Sequence, residues 1–511
     1  MVIAVQNSLV NGKTKGFAMV HEGNAKTYDL IVIGSGPAGE KAAAKAAYFG
    51  KTVAVIECQA LVGGAGVNTG TLPSKTLKES ALFFSGKYDR GLYGIEKQLE
   101  EKTTIDDFFF RERVVQSTVE GEVRRNLEIH KVDLIHGAAS FVDTHHVMIK
   151  RDGAPDVTIR GEFILIASGS YPFQPQNIPF DADAVHDSDT ILRLKRIPES
   201  LVVVGAGVIG CEYATIFATM GTKVYLVNDR DKIMPFLDHE ISGALVEQMS
   251  KGGVEIVFNT AIKSVMKEGG NVGENVGENV GAKEVAKPSP AITTILDNGR
   301  ILKTDMFLFA AGRSGCTAGL NCSSAGVKLG KREVVEVDDH FRTSAPNIFA
   351  AGDVIGFPAL AATSMDQGRV AVSHMFGLTD LDNVTRIFPY GIYTIPEVSM
   401  VGMSEQEARD KGVDVCTGAA RYADMHRGRI MGVTDGFLKL VFERQTLQVL
   451  GVHIIGPLAT EIIHYGLLLV QDHRSLSDLL ATVFNYPTLH DLYKYAAYDG
   501  LGNRAGHKIK K

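Results

Sequence analysis

The chain has no tryptophan and only five cysteines in 511 residues. Cys58, Cys211, Cys316, Cys322 and Cys416 are odd in number, widely scattered and without CxxC spacing. That pattern excludes a disulfide scaffold and a cysteine zinc site. Each reads as a small buried or loop residue, and only Cys316 and Cys322 lie close together. Long apolar runs are missing too: none approaches the roughly 20 residues that a membrane span requires. The opening MVIAV is too short for the apolar region of a signal peptide, so the cytoplasm is the expected compartment. A basic excess is also lacking, since a net charge of -6 leaves no electrostatic footprint for nucleic acid.

What is present is glycine, in a pattern that occurs twice. YDLIVIGSGPAGEKAAAKAAYFGKTVAVIE runs from Tyr28 to Glu57: a buried apolar strand, a glycine turn, an Ala-rich helix and a second strand ending in an acid. LVVVGAGVIGCEYATIFATMGTKVYLVN, from Leu201 to Asn228, repeats the design without a gap from the first glycine onward. Gly34, Gly36, Gly39 and Gly50 fall on Gly205, Gly207, Gly210 and Gly221. One GxGxxG is weak, but two complete strand-turn-helix-strand units in register are the signature of two dinucleotide sites. In each, the glycines let the backbone approach a pyrophosphate and seat it on a helix N-terminus, where free N–H groups and the helix dipole favour anions.

The remaining chain arranges itself around these copies. Residues 1–26 read as a flexible arm, 27–185 as the first part of one dinucleotide-binding domain and 186–325 as a second. Residues 326–385 return to the first, and 386–511 form an α+β domain for association; the family resemblance set out below makes the first the FAD-binding domain, the second the NAD(P)-binding domain and the last the dimerisation domain. The expected fold class is α/β, with two Rossmann-like units plus that C-terminal domain. Residues 76–130 read as helices with a polar connection around Lys87 to Lys102. The Gly/Asn/Glu repeat at 269–290 cannot bury a core, so it reads as a solvated hairpin insertion.

Four places carry chemistry. Glu57 stands eighteen residues after Gly39, where a carboxylate accepts hydrogen bonds from an adenosine ribose. Asn228 holds the same offset from Gly210. A carboxylate there would face the 2'-phosphate of NADP, and two unit charges at about 4 Å repel by about 4 kcal/mol at an effective dielectric of 20. Asn228 removes that repulsion and Arg230 offers attraction, so the second site is expected to take NAD and NADP; the plainer reading makes both turn residues. Asp353, after the strand-like NIFAAG, is either a ligand of a dinucleotide hydroxyl or the cap of the next helix. The loop LVGGAGVNTGTLPSK, Leu61 to Lys75, enters a helix with Pro73 in its first turn; Lys75, and Glu212 on the second Rossmann helix, would ordinarily be solvated charges.

Taken together these motifs resemble the flavoprotein family of lipoamide dehydrogenase, glutathione reductase and mercuric reductase, over the chain from Tyr28 to about Asn503. The resemblance implies FAD on the first unit, at Gly34, Ser35, Gly36, Pro37, Ala38, Gly39, Glu57, Ala138, Ser168, Gly169, Gly352 and Asp353. It implies NAD(P)H on the second, at Gly205, Gly207, Val208, Ile209, Gly210, Asn228, Arg230, Gly312 and Arg313. It further implies a homodimer, Lys75 beside the reactive edge of the flavin and paired with Glu212, and Tyr486 closing the site from the other subunit. The family's loop carries two redox cysteines, and here Gly66 and Thr71 occupy those positions; the family's HPT histidine and its following glutamate are replaced by Tyr486 and Asp491. Without thiols the general-base role of that histidine lapses, and disulfide reduction is excluded because the relay has no sulfur. The VNTGTxPSK loop and FNYPT C-terminus are similar to the soluble transhydrogenase branch of the family, although members of that branch usually keep the first cysteine. The implied activity is hydride transfer between NADPH and NAD in a ping-pong order. The rival readings are an NAD(P)H oxidase or diaphorase delivering electrons to oxygen, a quinone or a metal ion, and a flavin-binding subunit without catalysis.

Overall fold

The computed structural model describes residues 26–88, 92, 103–267 and 292–507. Residues 1–25 of the arm, most of the polar connection and the repeat at 269–290 lie outside the described residues.

Each Rossmann copy folds as its pattern requires. Thr27–Ile33 and Val53–Glu57 pair in parallel around helix α1, Pro37–Tyr48. Their apolar runs are continuous because both faces of this parallel sheet are covered, and Leu30, Ile31, Val32 and Val55 are fully buried. The strand order is Asp133–His136, Val53–Glu57, Thr27–Ile33, Val157–Ile166, His146–Lys150, Ala138–Phe141. Ile348–Ala350 runs parallel beside Val157–Ile166. A segment late in the chain thus completes the first sheet and delivers Gly352 and Asp353 to the edge where the first glycine turn lies.

Two helices follow the loop: α2, Gly64–Asn68, and α3, Thr71–Ser85. Helix α4, Ile105–Ile129, starts at a capping box in which Thr104 and Asp107 each satisfy the other's backbone N–H. The second copy forms Ser200–Val204, helix α5 (Val208–Thr219) and Lys223–Val227. Its all-parallel sheet runs Val254–Val257, Lys223–Val227, Ser200–Val204, Met306–Phe309, Val185–Asp187. The strands flanking the repeat, Ile262–Lys267 and Ile292–Leu296, pair antiparallel, so the repeat is inserted in a hairpin connection.

The C-terminal unit is a five-stranded antiparallel sheet, from Tyr390–Ile392 to Val415–Arg421, with helices Ala459–Gln471 and Asp491–Arg504. It is not an independent appendage. One apolar cluster runs from Leu77 on α3 and Phe108 on α4, through Phe217 and Leu226, to Ile395 and Ile455. Two buried ion pairs cross the same boundaries. Lys78 of α3 meets Glu397 at 2.7 Å with both side chains 6% exposed, and Glu397 also accepts from Thr460. Lys439 meets Asp238, the N-cap of helix α6 (His239–Lys251), at 3.1 Å and Glu405 at 2.7 Å.

Burial alone would push the Asp238 carboxyl up, but the charges of His453 and Lys439 outweigh it and hold it below 3.8. A depressed carboxyl gives stability that is complete above its unfolded pKa and lost as pH falls through the folded one. Lys439→Ala leaves Asp238 buried without its charge partner and should cost about 3 kcal/mol, read from urea unfolding at pH 7. The acid loss of stability below about pH 4 should be shallower in the variant than in the wild type.

Candidate functional site

Both glycine turns are built so that no other residue fits. Gly34 has φ +105°, and a β-carbon on it would run into the Ala167 carbonyl; Gly205 has φ +97° and is backed by Ala310 and Ala311. Behind them Gly39 and Gly210 touch the carbonyls of Gly34 and Gly205 respectively, closing each helix onto its strand. Helix α1 starts at Gly36 with Pro37 in its first turn and no side-chain cap. Helix α5 starts at Gly207, also uncapped, followed by Val208 and Ile209. The N–H groups of both first turns are therefore left for an anion.

The first turn is rigidified by its own acid. Glu57 Oε2 accepts from the Ser35 N–H at 3.0 Å and from Ser35 Oγ at 2.6 Å. The Gly63 N–H donates to the same Ser35 Oγ at 3.1 Å, which ties the loop entering α2 to the glycine turn. Ala138 follows Gly137, whose N–H donates to the Glu57 carbonyl. Gly352 packs against the Ala38 side chain, so the segment 352–353 lies against the start of α1. Asp353 does not cap a helix: its carboxylate accepts from Ser170 Oγ at 3.0 Å. Ser168 Oγ, beside Gly169, is buried without any hydrogen-bond partner within the described protein. A buried hydroxyl left unpaired beside a glycine cradle fits a polar group supplied from outside the chain, and an FAD pyrophosphate meets that requirement.

At the second turn, Asn228 does what Glu57 does at the first. Its Oδ1 accepts from the Ala206 N–H at 3.2 Å, while Nδ2 donates to the carbonyls of Arg230 and Lys232 at 3.2 and 3.0 Å. Asn228 is buried and Arg230 is exposed. The turn-residue reading therefore holds for Asn228: the amide shapes the turn. Gly312, three residues beyond the adjoining strand Met306–Phe309, has φ +117°. Arg313 is largely committed, donating to Ser170 Oγ at 2.8 Å, to the Ser170 carbonyl at 2.7 Å and to Asp189 at 3.3 Å.

Between the two turns lies a buried carboxylate. Glu212 on α5 accepts from Lys75 Nζ at 2.8 and 2.9 Å, from Ser74 Oγ at 3.1 Å and from the Tyr393 N–H at 3.0 Å. Glu212 is 3% exposed and Lys75 25%, so neither is the solvated surface charge that each would be alone. Lys75 also lies 5.1 Å from the centre of the Tyr393 ring. Tyr393 and Ser74 complete the site, and sequence gave no sign of Tyr393 because only folding brings it beside α3.

Gly66 on α2 faces Pro37, and a β-carbon there would stand 2.9 Å from Pro37 Cγ. Thr71 is exposed at the first position of α3. The five cysteines are all unpaired; Cys316 and Cys322 form no disulfide. Tyr486 is 67% exposed and its hydroxyl meets His426 Nδ1 at 2.8 Å; within a single chain it lies on the surface of the C-terminal unit. Among the described residues no cluster of His, Cys, Asp and Glu could hold a metal ion, and no helix is long and apolar enough to cross a membrane.

Two glycine turns and a buried Lys–Glu pair that joins the two units carrying them, on a chain with a third, antiparallel unit, define a two-dinucleotide oxidoreductase. The chain belongs to the pyridine nucleotide-disulphide oxidoreductase family: the family model matches residues 28–368, and the model of the family's dimerisation domain matches 388–497. A relative named soluble pyridine nucleotide transhydrogenase from Mycobacterium tuberculosis is 42% identical over 475 residues, 93% of this chain and 97% of the relative. One of the same name from Colwellia psychrerythraea is 37% identical, covering 93% and 98%. Among solved structures, the HOCl-induced flavoprotein disulfide reductase RclA from Escherichia coli superposes with a TM-score of 0.79 at 26% identity, in its Cu(II) complex, over 93% of this chain and 99% of that one. LpdA from Mycobacterium tuberculosis superposes with a TM-score of 0.82 at 24% identity over 93% and 99%, a likeness of fold.

The geometry at residue 228 makes one separate prediction. Asn228→Asp would turn an oxygen toward the Arg230 and Lys232 carbonyls and should cost about 1–3 kcal/mol of stability without any nucleotide present. A thermal unfolding midpoint equal to that of the wild type would show that these two hydrogen bonds do not shape the turn.

Proposed function

We propose that this chain is an FAD-dependent oxidoreductase that moves hydride between NADPH and NAD without a redox-active disulfide. Residues 27–185 and 326–385 would hold the flavin, 186–325 the nicotinamide nucleotide, and 386–511 would pair two copies into a homodimer, working in the cytoplasm. The observation that carries this reading is the Glu212–Lys75 pair, joined from both nucleotide-binding units, in a loop whose two cysteine positions hold Gly66 and Thr71. The names of the transhydrogenase relatives point the same way.

Each residue has a definite task in this reading. Gly34, Ser35, Gly36, Pro37, Ala38 and Gly39 present the first turn to the FAD pyrophosphate; Glu57 and Ala138 flank the adenosine end. Ser168, Gly169, Gly352 and Asp353 flank its middle. Gly205, Gly207, Val208, Ile209 and Gly210 present the second turn to either nicotinamide nucleotide, bordered by Gly312. Arg313 contributes by fixing that border, since its donors are spent within the protein. Glu212 holds the Lys75 ammonium in place, and that ammonium stabilises negative charge gathering beside it, an electrostatic contribution rather than proton transfer. Tyr486 covers the site from the partner subunit. When bound, the flavin supplies a ring that accepts hydride from one nicotinamide and returns it to another. Asn228 admits both nucleotides, and Arg230 selects the 2'-phosphate.

Anaerobic mixing of NADPH with an NAD analogue and the holoenzyme should give stoichiometric transfer, and a disulfide substrate should remain unreduced. Faster reoxidation in air than with NAD would instead identify an oxidase or diaphorase. NADPH that leaves the flavin absorbance unchanged would identify a subunit without catalysis. Lys75→Met should lower kcat about 100-fold. Arg230→Ala should raise the KM for NADPH about tenfold while leaving that for NADH in place.

A further inference from the structure

A guanidinium without an acceptor stands over the border of the second turn. Arg332 and Glu333 both take left-handed backbone, with φ of 56° and 60°, which residues bearing a β-carbon adopt only when their surroundings enforce it. The surroundings here do so. The Glu333 carboxylate accepts from the Tyr171 hydroxyl at 3.0 Å, its carbonyl accepts from Thr317 Oγ1 at 3.0 Å, and the Gly330 N–H closes the turn onto the Val334 carbonyl at 2.8 Å. Arg332 is thereby aimed at Gly312, where any β-carbon would collide with its guanidinium. The guanidinium also lies 5.7 Å from the centre of the Phe173 ring.

Arg332 is exposed to solvent, and among the described residues it makes no ion pair and no side-chain hydrogen bond. Its donors are therefore available, beside a strand end whose preceding residues, Ala310 and Ala311, back Gly205. A planar fork of N–H donors matches phosphate oxygens, and a strained turn that exists to place it suggests a ligand rather than a packing role.

We propose that Arg332 clamps the pyrophosphate of the dinucleotide bound at the second turn, an assignment that rests on the two-nucleotide reading above. A pyrophosphate contact serves NAD(H) and NADP(H) equally, which separates Arg332 from Arg230. Glycine at 332 would satisfy the turn with less strain but would supply no donor.

The test uses Arg332→Ala, Arg332→Gly and Arg332→Lys as purified holoenzymes, titrated calorimetrically with NAD+ and with NADP+. Flavin content and the thermal midpoint are recorded for each. The dissociation constants for both nucleotides should rise about tenfold in the Ala and Gly variants and less in the Lys variant. Arg332→Gly should unfold no lower than the wild type, because it relieves the left-handed strain. Unchanged affinity in Arg332→Ala and Arg332→Gly overturns the clamp and leaves the two-nucleotide reading standing. Loss confined to NADP+ overturns it in favour of a 2'-phosphate contact, and loss of flavin with nucleotide affinity intact overturns it in favour of the first site. A wild-type holoenzyme that binds neither nucleotide overturns the function on which the clamp rests.

Discussion

The Glu212 carboxylate is the constraint on which the site depends. It is 3% exposed, and a carboxylate buried to that degree persists in its charged form only where positive charge and donors converge on it. The converging groups come from three parts of the chain: Lys75 and Ser74 from the helix after the loop, Glu212 itself from the second Rossmann helix, and the Tyr393 N–H from the edge of the C-terminal unit. Removing any one unit would leave the carboxylate under-satisfied. The site is thus a consequence of domain assembly, and the apolar cluster from Leu77 to Ile455 supplies the burial that makes the ion pair short and directional. Two further buried pairs, Lys78 with Glu397 and Lys439 with Asp238, hold the same three units in register, so Lys75 is aimed by structure well beyond its own helix.

The two Rossmann copies solve one mechanical problem with different charges. At each strand end a side chain must satisfy an N–H of the glycine turn: Glu57 takes the Ser35 N–H, and Asn228 takes the Ala206 N–H. The amide adds donors that the carboxylate lacks, and Asn228 spends them on two carbonyls of the following turn. On the proposed function, nucleotide preference is therefore coupled to loop geometry. A carboxylate at 228 would alter both the field felt by a 2'-phosphate and the fold of the segment carrying Arg230, and a change in specificity alone could not separate the two.

The fold was legible where physics is local. The doubled strand-turn-helix-strand pattern gave the parallel strands of both sheets, because periodicity and glycine placement are dictated by neighbours in sequence. The return of Ile348–Ala350 to the first sheet was readable only as another apolar strand followed by glycine and Asp353. The two turns were legible in their glycines and in Glu57 and Asn228, which lie at fixed offsets within one supersecondary unit and bond to those turns. Lys75 and Glu212 had no local reason to meet, and their pairing came from the family resemblance. Tyr393 was missed because only long-range packing brings it beside α3, and the same packing gives Arg313 its bonds to Ser170 and Asp189. Asp353 was undecided between ligand and cap until its carboxylate was found on Ser170.

The absence of sulfur from the loop is embedded in the packing. Gly66 lies against Pro37, the first residue of α1, closely enough that a β-carbon would stand 2.9 Å from the ring. Neighbouring Gly64 presses equally close, since a β-carbon on it would stand 2.8 Å from the Gly36 Cα. The loop thus lies directly on the first glycine turn. A cysteine at 66 would require Pro37 to yield, and Pro37 is locked in φ and sits at the start of helix α1. Close approach of the loop and a thiol at this position compete for the same space. The chain resolves the competition in favour of approach, and with Gly66 and Thr71 in place the loop carries no thiol beside Lys75.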